Sequence, residues 1–227
     1  MPLVYFKNIS KSYNGSIILD NVTFEVQAGE FVSIVGRSGV GKTTLLKILM
    51  KEEDPTKGRV YFNDQDISKL KAGEVSLLRR KIGVVFQEFK LLSNRTAYEN
   101  VAFAMEVAGF SEKEIKRDVP EVLKLVNLQN RADNFPYQLS AGEKQRTVIA
   151  RALIQRPELV WADEPTGNLD PINSWEIIKL LVKINELGTT VILTTHDKEV
   201  VNTLGKRVVS LEEGKVIRDE KEGKYII

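Results

Sequence analysis

The stretch GRSGVGKTT, from Gly36 to Thr44, constrains the fold more than any other part of the chain. It follows the apolar run FVSIV and opens the helical pattern KTTLLKILMK, which is the context that the phosphate-binding pattern G-x-x-x-x-G-K-[ST] requires. Glycines at positions 36, 39 and 41 let the backbone turn with its N–H groups inward, and the helix N-terminus adds a positive dipole end. The sequence therefore predicts a phosphate-binding loop between a strand and a helix.

Two side chains of this loop have predicted roles toward a nucleotide and its metal ion. Lys42 is placed to reach the β- and γ-phosphates, and Thr43 is placed to ligate Mg²⁺ through its hydroxyl. The alternative is a turn that is merely rich in glycine. The residues predicted to line the nucleotide are Gly36, Arg37, Ser38, Gly39, Val40, Gly41, Lys42, Thr43 and Thr44.

Strand-like runs and helical patterns alternate along the chain. Runs rich in β-branched and aromatic residues occur at VYFKNIS, FVSIVG, RVYF, KIGVVFQ, ELVWAD, TTVILTT and KRVVSL. Several are almost continuously apolar, which predicts strands covered on both faces. Residues 87–155 have almost no strand signal. We therefore predict a single domain, residues 1–227, whose α/β core (1–86 and 156–227) carries an inserted helical subdomain (87–155).

Local signals predict where two helices of that subdomain begin. The pairs Thr96 with Glu99 and Ser111 with Glu114 have the spacing of capping boxes. Pro120 marks either a first helical turn or a kink, since proline cannot donate the helical hydrogen bond. We expect helices to start just after residues 96 and 111.

The composition restricts the classes of partner. The chain has 33 basic and 31 acidic side chains, and a net charge of +2 produces no global field to hold a nucleic acid. The absence of cysteine excludes disulfides and thiolate metal sites. The start MPLVYFKNISKSY has no apolar segment of a signal peptide, and no apolar run approaches the roughly 18 residues of a membrane span. We expect no nucleic-acid partner, and a membrane location only through another protein.

A second strand-like run, LVWADE, ends in two carboxylates. In a β-strand Asp163 and Glu164 point to opposite faces, unless the strand ends there, so they should have separate roles. Asp163 is placed to hold hydrated Mg²⁺, and Glu164 to polarise an attacking water. A solvated strand end is the alternative for the pair by itself. Beside a phosphate loop, the pair indicates hydrolysis of a nucleoside triphosphate.

The segment LSAGEKQR precedes an apolar helical run, and its Ser140 and Glu143 again have capping-box spacing. Placed upstream of LVWADEPTGNLD and His196, it resembles the signature motif of ATP-binding cassette (ABC) ATPases, and the resemblance covers essentially the whole chain. It implies ATP hydrolysis with ATP and Mg²⁺ as cofactors. The implied fold is an α/β P-loop NTPase of the ABC ATPase type: a mixed sheet flanked by helices, an N-terminal antiparallel β part and an inserted helical subdomain.

The resemblance implies that four residues act across a dimer. In ABC ATPases the signature helix of one subunit points at the γ-phosphate held by the other, which implies this role for Ser140, Gly142 and Glu143. Asp170 in GNLD resembles the loop aspartate that crosses between subunits. The more common signature is LSGGQ, so Ala141 is a departure that would lower turnover if its position needed a positive φ.

Three further residues take their roles from the resemblance. Tyr13 in SKSYNG is similar to the aromatic that stacks on adenine, and Gln87 in VVFQE to the glutamine near Mg²⁺ and water. Without the resemblance, Tyr13 is a half-buried turn aromatic and Gln87 a surface amide. His196, the only histidine, follows TTVILTT at the carboxyl end of a predicted strand, where α/β sheets bind ligands. It resembles the switch histidine that contacts the γ-phosphate.

Within the family, the segment FQEFKLLSNRTAYENVAFAMEVAG, with KEEDPTKG before it and DEPTGNLDP after it, resembles the cell-division branch. The resemblance implies an ATP-dependent homodimer on the cytoplasmic face of the cell membrane. Its partner would be a membrane protein that docks near Gln87 to Leu92 and the helical subdomain.

Other functions fit parts of the same pattern. The DEPTGNLD stretch is shared with lipoprotein-releasing and macrolide-export ATPases, which are the nearest alternative. A soluble DNA-repair or chromosome ATPase is another class, although the chain lacks the long coiled coil that normally interrupts such cores. A structural module that binds ATP without hydrolysing it is the third.

Overall fold

The computed structural model describes residues 1–225, which form ten strands and seven α-helices. The strands are β1 (Val4–Tyr13), β2 (Ser16–Val26), β3 (Phe31–Val35), β4 (Lys57–Phe62), β5 (Gln65–Asp66), β6 (Ile82–Val85), β7 (Leu159–Asp163), β8 (Thr190–Thr195), β9 (Arg207–Glu212) and β10 (Lys215–Glu220). The helices are α1 (Lys42–Leu49), α2 (Ala72–Arg80), α3 (Ala97–Ala108), α4 (Glu112–Leu125), α5 (Ala141–Leu153), α6 (Pro171–Glu186) and α7 (Lys198–Leu204). Within the described part of the chain, no helix is both long and apolar enough to cross a membrane.

The chain divides into two compact units. One contains Met1–Arg79 and the described residues from Asn185 onward, and the other contains Arg80–Ile184. The division into a core of residues 1–86 and 156–227 and an inserted subdomain of residues 87–155 stays a prediction. The elements described between residues 87 and 155 are α3, α4, α5 and two short 3₁₀ turns.

The first unit contains the predicted antiparallel β part, a four-stranded sheet in the order β2-β1-β4-β5. β1 pairs antiparallel with both neighbours, and its Val4 and Phe6 are fully buried. Phe6 lies opposite Phe24, with their ring centroids 4.8 Å apart. The sequence did not indicate β2, because polar residues interrupt its period and Asn21 has a left-handed φ of 53° where the register shifts.

The strand that leads into the phosphate loop is central in the other sheet of this unit. β3 runs parallel to both β8 and β9, while β9 pairs antiparallel with β10, so the sheet is mixed as expected. All residues of β3 and β8 are buried, which explains their continuous apolar sequence. Val35 pairs with Thr195, so the chain leaves these two strands side by side at Gly36 and His196.

The second unit packs helices on the parallel strands β6 and β7. α5 approaches β6 so closely that a Cβ on Gly83 would lie 2.6 Å from the carbonyl oxygen of Ala152. Both predicted capping boxes are confirmed, with Thr96 at the start of α3 and Ser111 at the start of α4. Pro120 lies in the interior of α4, so the alternative of a first-turn position is wrong.

Candidate nucleotide-binding site

In the first unit, the loop between β3 and α1 has two positions that require glycine. Gly36 and Gly41 have φ of 156° and 109°, which side-chain-bearing residues rarely adopt. A Cβ on Gly36 would lie 2.5 Å from the carbonyl oxygen of Leu211, and one on Gly41 would lie 2.5 Å from Leu19 Cδ2. These neighbours therefore fix the path by which the loop enters α1.

Lys42 begins α1 with its side chain folded over the loop. Its Nζ donates to the carbonyl oxygens of Gly36 at 2.7 Å and Arg37 at 3.3 Å, and the residue is only 6% exposed. The first turn of α1 has no acidic residue, and its N-cap, Gly41, makes no side-chain capping bond. The ammonium and the helix N-terminus together make a positive potential suited to phosphate oxygens.

His196 is exposed at the carboxyl end of β8, beside the strand that leads into the loop. Side chains fix the turn that follows the strand. Thr195 Oγ1 accepts from the N–H of Asp197 at 3.0 Å, and Asp197 Oδ1 caps α7 by accepting from the N–H groups of Glu199 (2.9 Å) and Val200 (3.2 Å). The predicted position of His196 at a strand end is confirmed, and its role toward a γ-phosphate stays a prediction.

Tyr13, at the end of β1, is held by a residue that the sequence did not single out. Its hydroxyl donates to Glu53 Oε2, and the same carboxylate lies 3.1 Å from Lys11 Nζ and 3.5 Å from Lys47 Nζ. Burial, and then this hydrogen bond, raises the pKa of Tyr13, whereas the hydrogen bond lowers the pKa of Glu53. The ring is fixed in orientation yet remains 38% exposed.

In the second unit, Gln87 follows β6, and Asp163 is the last residue of the neighbouring parallel strand β7. The last residues of β6 pair with those of β7, so both residues lie at the same edge of the sheet. The carbonyl oxygen of Gln87 accepts from Asn168 Nδ2 at 2.9 Å. A Cβ on Gly167 would lie 2.7 Å from Gln87 Nε2. The segment that follows β7 therefore packs directly against Gln87.

The two carboxylates of LVWADE separate because β7 ends at Asp163. Asp163 is buried, with 7% exposed, whereas Glu164 leaves the strand with a left-handed φ of 47°. The alternation of side chains between the two faces of the sheet therefore stops at Asp163, and a tight turn sets the direction of the Glu164 side chain. Such a conformation costs a residue with a side chain about 1–3 kcal/mol and is typical of functional sites.

The signature segment opens α5 through the predicted capping box. Ser140 Oγ accepts from the N–H of Glu143 at 3.3 Å, and Glu143 Oε2 accepts from the N–H of Ser140 at 2.8 Å. This backbone donor lowers the pKa of Glu143, and Arg131 Nε, 2.9 Å from Oε1, adds to the effect. Ala141 is the first residue of the helix and has no positive φ, so its methyl group causes no backbone strain.

Gly142, the next residue of the signature, packs against a side chain that the sequence reasoning missed. Gly142 is buried, and a Cβ there would overlap Oδ1 of Asn173. Asn173 donates to Asp170 twice, from its N–H to Oδ1 at 3.0 Å and from Nδ2 to Oδ2 at 2.5 Å. These donors lower the pKa of Asp170. Asn173 could have been found from its spacing, because it lies three residues after Asp170 at the start of a helix.

The sequence profile described as ABC transporter matches residues 19–167, from β2 to the glycine that packs on Gln87. The chain belongs to the ABC transporter family. Among its ABC relatives, the cell division ATP-binding protein FtsE of Bacillus subtilis (strain 168) is 50% identical over 224 residues, which cover 98% of each chain. The protein of the same name from Escherichia coli (strain K12) is 44% identical over 213 residues, covering 93% of this chain and 96% of that one.

Solved ABC structures share the fold along almost the whole chain. The ATP-binding cassette MJ0796, in a dimeric post-hydrolysis state bound to ADP and Pi, matches with a TM-score of 0.86 and 39% identity, covering 98% of this chain and 100% of that one. CbiO1 from Clostridium perfringens, part of the ABC transporter complex cbiONQ, matches with a TM-score of 0.90 and 32% identity, covering 97% and 89%. The chain is therefore an ABC ATPase with ATP as its nucleotide, and the predicted fold class is confirmed.

Proposed function

We propose that this ABC ATPase is the FtsE-type subunit of a cell-division complex, which dimerises on ATP and drives the membrane protein FtsX to regulate cell-wall hydrolysis. The observation that carries the proposal is the 50% identity to an FtsE over 98% of each chain. Similarity that extends along the whole chain supports a shared partner as well as a shared ATPase core. The subunit would lie at the cytoplasmic face of the cell membrane, held there by FtsX.

The proposed reaction converts ATP and water to ADP and phosphate. Lys42 and the loop N–H groups hold the phosphates, and Tyr13 stacks on adenine. Glu164 accepts a proton from the water as its oxygen bonds to the γ-phosphorus and the bond to the β-phosphate oxygen breaks. His196 contacts the γ-phosphate and orients it. Two turns support these roles. The tight turn at Glu164 and the hydrogen-bonded turn after His196 fix the backbone from which the two side chains extend.

Mg²⁺ is the proposed metal ion, held by the Thr43 hydroxyl, the Gln87 side-chain oxygen and, through water, Asp163. All three side chains offer oxygen atoms, the ligands that Mg²⁺ prefers. The ion supplies neutralisation of the charge on the β- and γ-phosphates. Two observations support a preformed set of metal-ligand oxygens in the second unit. Asp163 is buried, and the carbonyl oxygen of Gln87 accepts a hydrogen bond from Asn168 that fixes this residue.

Ser140, Gly142, Glu143 and Asp170 are proposed to act on the nucleotide of a second protomer. Ser140 is exposed at the N-terminus of a 13-residue helix, which attracts anions. The solved structure of MJ0796 with ADP and Pi is dimeric, which supports a dimer for this chain as well.

FtsX is proposed to dock near Gln87 to Leu92 and on the helical subdomain. In support, α3 carries apolar side chains outside the core at positions i and i+4: Phe103 is half-buried and Val107 is 68% exposed. Phe110, which is 39% exposed, follows the left-handed Gly109 at the end of the helix. Exposed apolar side chains that share one face are typical of a protein contact.

Single-turnover hydrolysis with and without Glu164→Gln, with dimer mass followed at saturating Mg-ATP, tests the ATPase mechanism. We expect the variant to lose hydrolysis and to accumulate as an ATP-bound dimer. Glu158→Gln, at an exposed position just before β7, is the matched control and should behave as the wild type. Wild-type hydrolysis in Glu164→Gln would refute the role of Glu164.

Co-expression decides the partner. FtsX should copurify with the chain, and the membrane subunit of a lipoprotein-releasing or macrolide-export complex should not. Copurification of that membrane subunit in place of FtsX would assign the chain to the lipoprotein-releasing or macrolide-export ATPases. Salt-dependent DNA binding would favour the DNA-repair or chromosome class instead.

A further inference from the structure

The loop from Phe86 to Leu92, which carries Gln87, is held by side chains from other parts of the second unit. Its carbonyl oxygens accept hydrogen bonds at Phe86 from Gln145 Nε2 (3.4 Å), at Gln87 from Asn168 Nδ2 (2.9 Å), at Phe89 from Arg151 Nη2 (3.4 Å), at Lys90 from Arg151 Nη1 (2.8 Å) and at Leu92 from Asn100 Nδ2 (3.1 Å). Two of these donors, Gln145 and Arg151, lie on α5, the helix that the signature motif opens. Side chains therefore attach the loop to the signature helix.

Arg151 makes the strongest of these attachments. A guanidinium is a planar fork whose hydrogen bonds are charge-assisted and therefore stronger than those of an amide. Arg151 is half-buried, and burial lowers the pKa of its guanidinium. In such surroundings its two carbonyl partners replace solvation that water would otherwise supply. Gln145 is fully buried, but its one bond to the loop is long.

The loop is strained at the residue to which Arg151 binds most closely. Lys90 has a φ of 46°, in the left-handed region that side chains disfavour. Its Nζ lies 4.0 Å from the ring centroid of Phe86, so the segment turns back on itself. Strained turns persist only where their surroundings fix them. The 2.8 Å bond from Arg151 Nη1 is the shortest of the five that the loop's carbonyl oxygens accept, and Asn100 Oδ1 accepts from the N–H of Leu92 at the same distance.

We propose that Arg151 is a positioning residue that ties the loop of residues 86–92 to α5, so that Gln87 and the Ser140 end of the helix move together. The proposal rests on the roles proposed for Gln87 and Ser140 in ATP hydrolysis. It adds the physical connection through which a partner bound to the loop changes the position of the signature motif. Loss of the connection lets the loop relax at Lys90 without changing the phosphate loop of the first unit.

Hydrogen exchange of the amides at 87–92, combined with single-turnover hydrolysis and ATP affinity, tests the proposal. Arg151→Met removes both donors and keeps an unbranched apolar stem. We expect exchange at 87–92 to be about tenfold faster and hydrolysis about tenfold slower, with unchanged ATP affinity, since one charge-assisted attachment is lost. Arg156→Met makes the same change at an exposed position near the end of α5 and should match the wild type.

Arg151→Lys keeps the charge but presents a single ammonium, so its exchange and hydrolysis should fall between those of Arg151→Met and the wild type. Unchanged exchange at 87–92 in Arg151→Met, or faster exchange with wild-type hydrolysis, overturns the proposal. If Arg151→Met unfolds, exchange rises throughout α3 and α5, and Arg151→Lys then decides by the same criteria. Failure of the proposed ATPase mechanism has a different signature, which is hydrolysis unaffected by Glu164→Gln.

Discussion

The side-chain oxygen of Asn173 fills the space into which a Cβ of Gly142 would project. Asn173 also donates two hydrogen bonds to Asp170, at the start of the same helix, so the side chain that packs against the start of α5 also holds Asp170. Both helix starts carry residues proposed to face the nucleotide of a second protomer. Close packing between them fixes the relative position of Gly142 and Asp170.

Adding one methyl group at Gly142 should disrupt this arrangement. We expect Gly142→Ala to destabilise the protein by about 1–3 kcal/mol and to slow hydrolysis, because the methyl group must displace Asn173 from Asp170. Gly73, the second residue of α2 as Gly142 is of α5, has open space around its Cβ, so Gly73→Ala should be neutral or stabilising. Urea unfolding and steady-state hydrolysis measure both variants. Adding Asn173→Ala to Gly142→Ala should restore stability, and a double variant no more stable than Gly142→Ala would contradict the steric explanation.

Removal of the Tyr13 ring should weaken nucleotide binding. Stacking of a base on an aromatic ring contributes about 1–3 kcal/mol, so Tyr13→Ala should raise the dissociation constant for Mg-ATP by roughly 5- to 150-fold. Tyr13→Phe keeps the ring, and its affinity should stay close to that of the wild type. Calorimetric titration with Mg-ATP and Mg-GTP measures both, and similar losses for the two nucleotides are expected. Equal affinity of Tyr13→Ala and the wild type would show that the ring does not contact the base.

The hydrogen bond between Tyr13 and Glu53 should make stability depend on pH. The pKa of Glu53 is lowered in the folded protein, so its contribution is complete above the ordinary glutamate pKa of about 4.3 and is lost as pH falls through the lowered folded pKa. The pKa of Tyr13 is raised, so its contribution is complete below about 10 and is lost as pH rises. The stability difference between the wild type and Tyr13→Phe should be largest near neutral pH and should shrink in acid. A difference that stays constant in urea unfolding across this range would exclude the interaction.

Arg207 should contribute more to stability than a neighbouring surface arginine. Its guanidinium bonds Asp219 at 2.7 Å and Glu30 at 2.9 Å with a side chain only 12% exposed, and these partners raise its pKa. Arg207→Met leaves two carboxylates without their cation and should destabilise the protein by about 3 kcal/mol. Arg218→Met removes a more exposed pair with Glu220 and should cost less than about 1 kcal/mol. Thermal unfolding compares them, and equal losses would contradict the assignment.

Helix starts that depend on two residues close together in the sequence were predictable from the chain. The capping boxes at Thr96, Ser111 and Ser140 each depend on two residues three positions apart, and the structure confirms all three. Elements with weak internal patterns were missed. β2, for example, contains the left-handed Asn21 and has no regular period.

The sequence by itself determined the phosphate loop, its flanking strand and helix, the signature segment and the ABC family, because each depends on residue types at fixed short spacing. Only the tertiary structure decided how these parts are held: Asn173 against Gly142, Glu53 on Tyr13, and Arg151 on the loop of Gln87. These contacts join residues between 31 and 61 positions apart. Such pairs are brought together by folding of the whole unit, and no local period or cap in the chain encodes them.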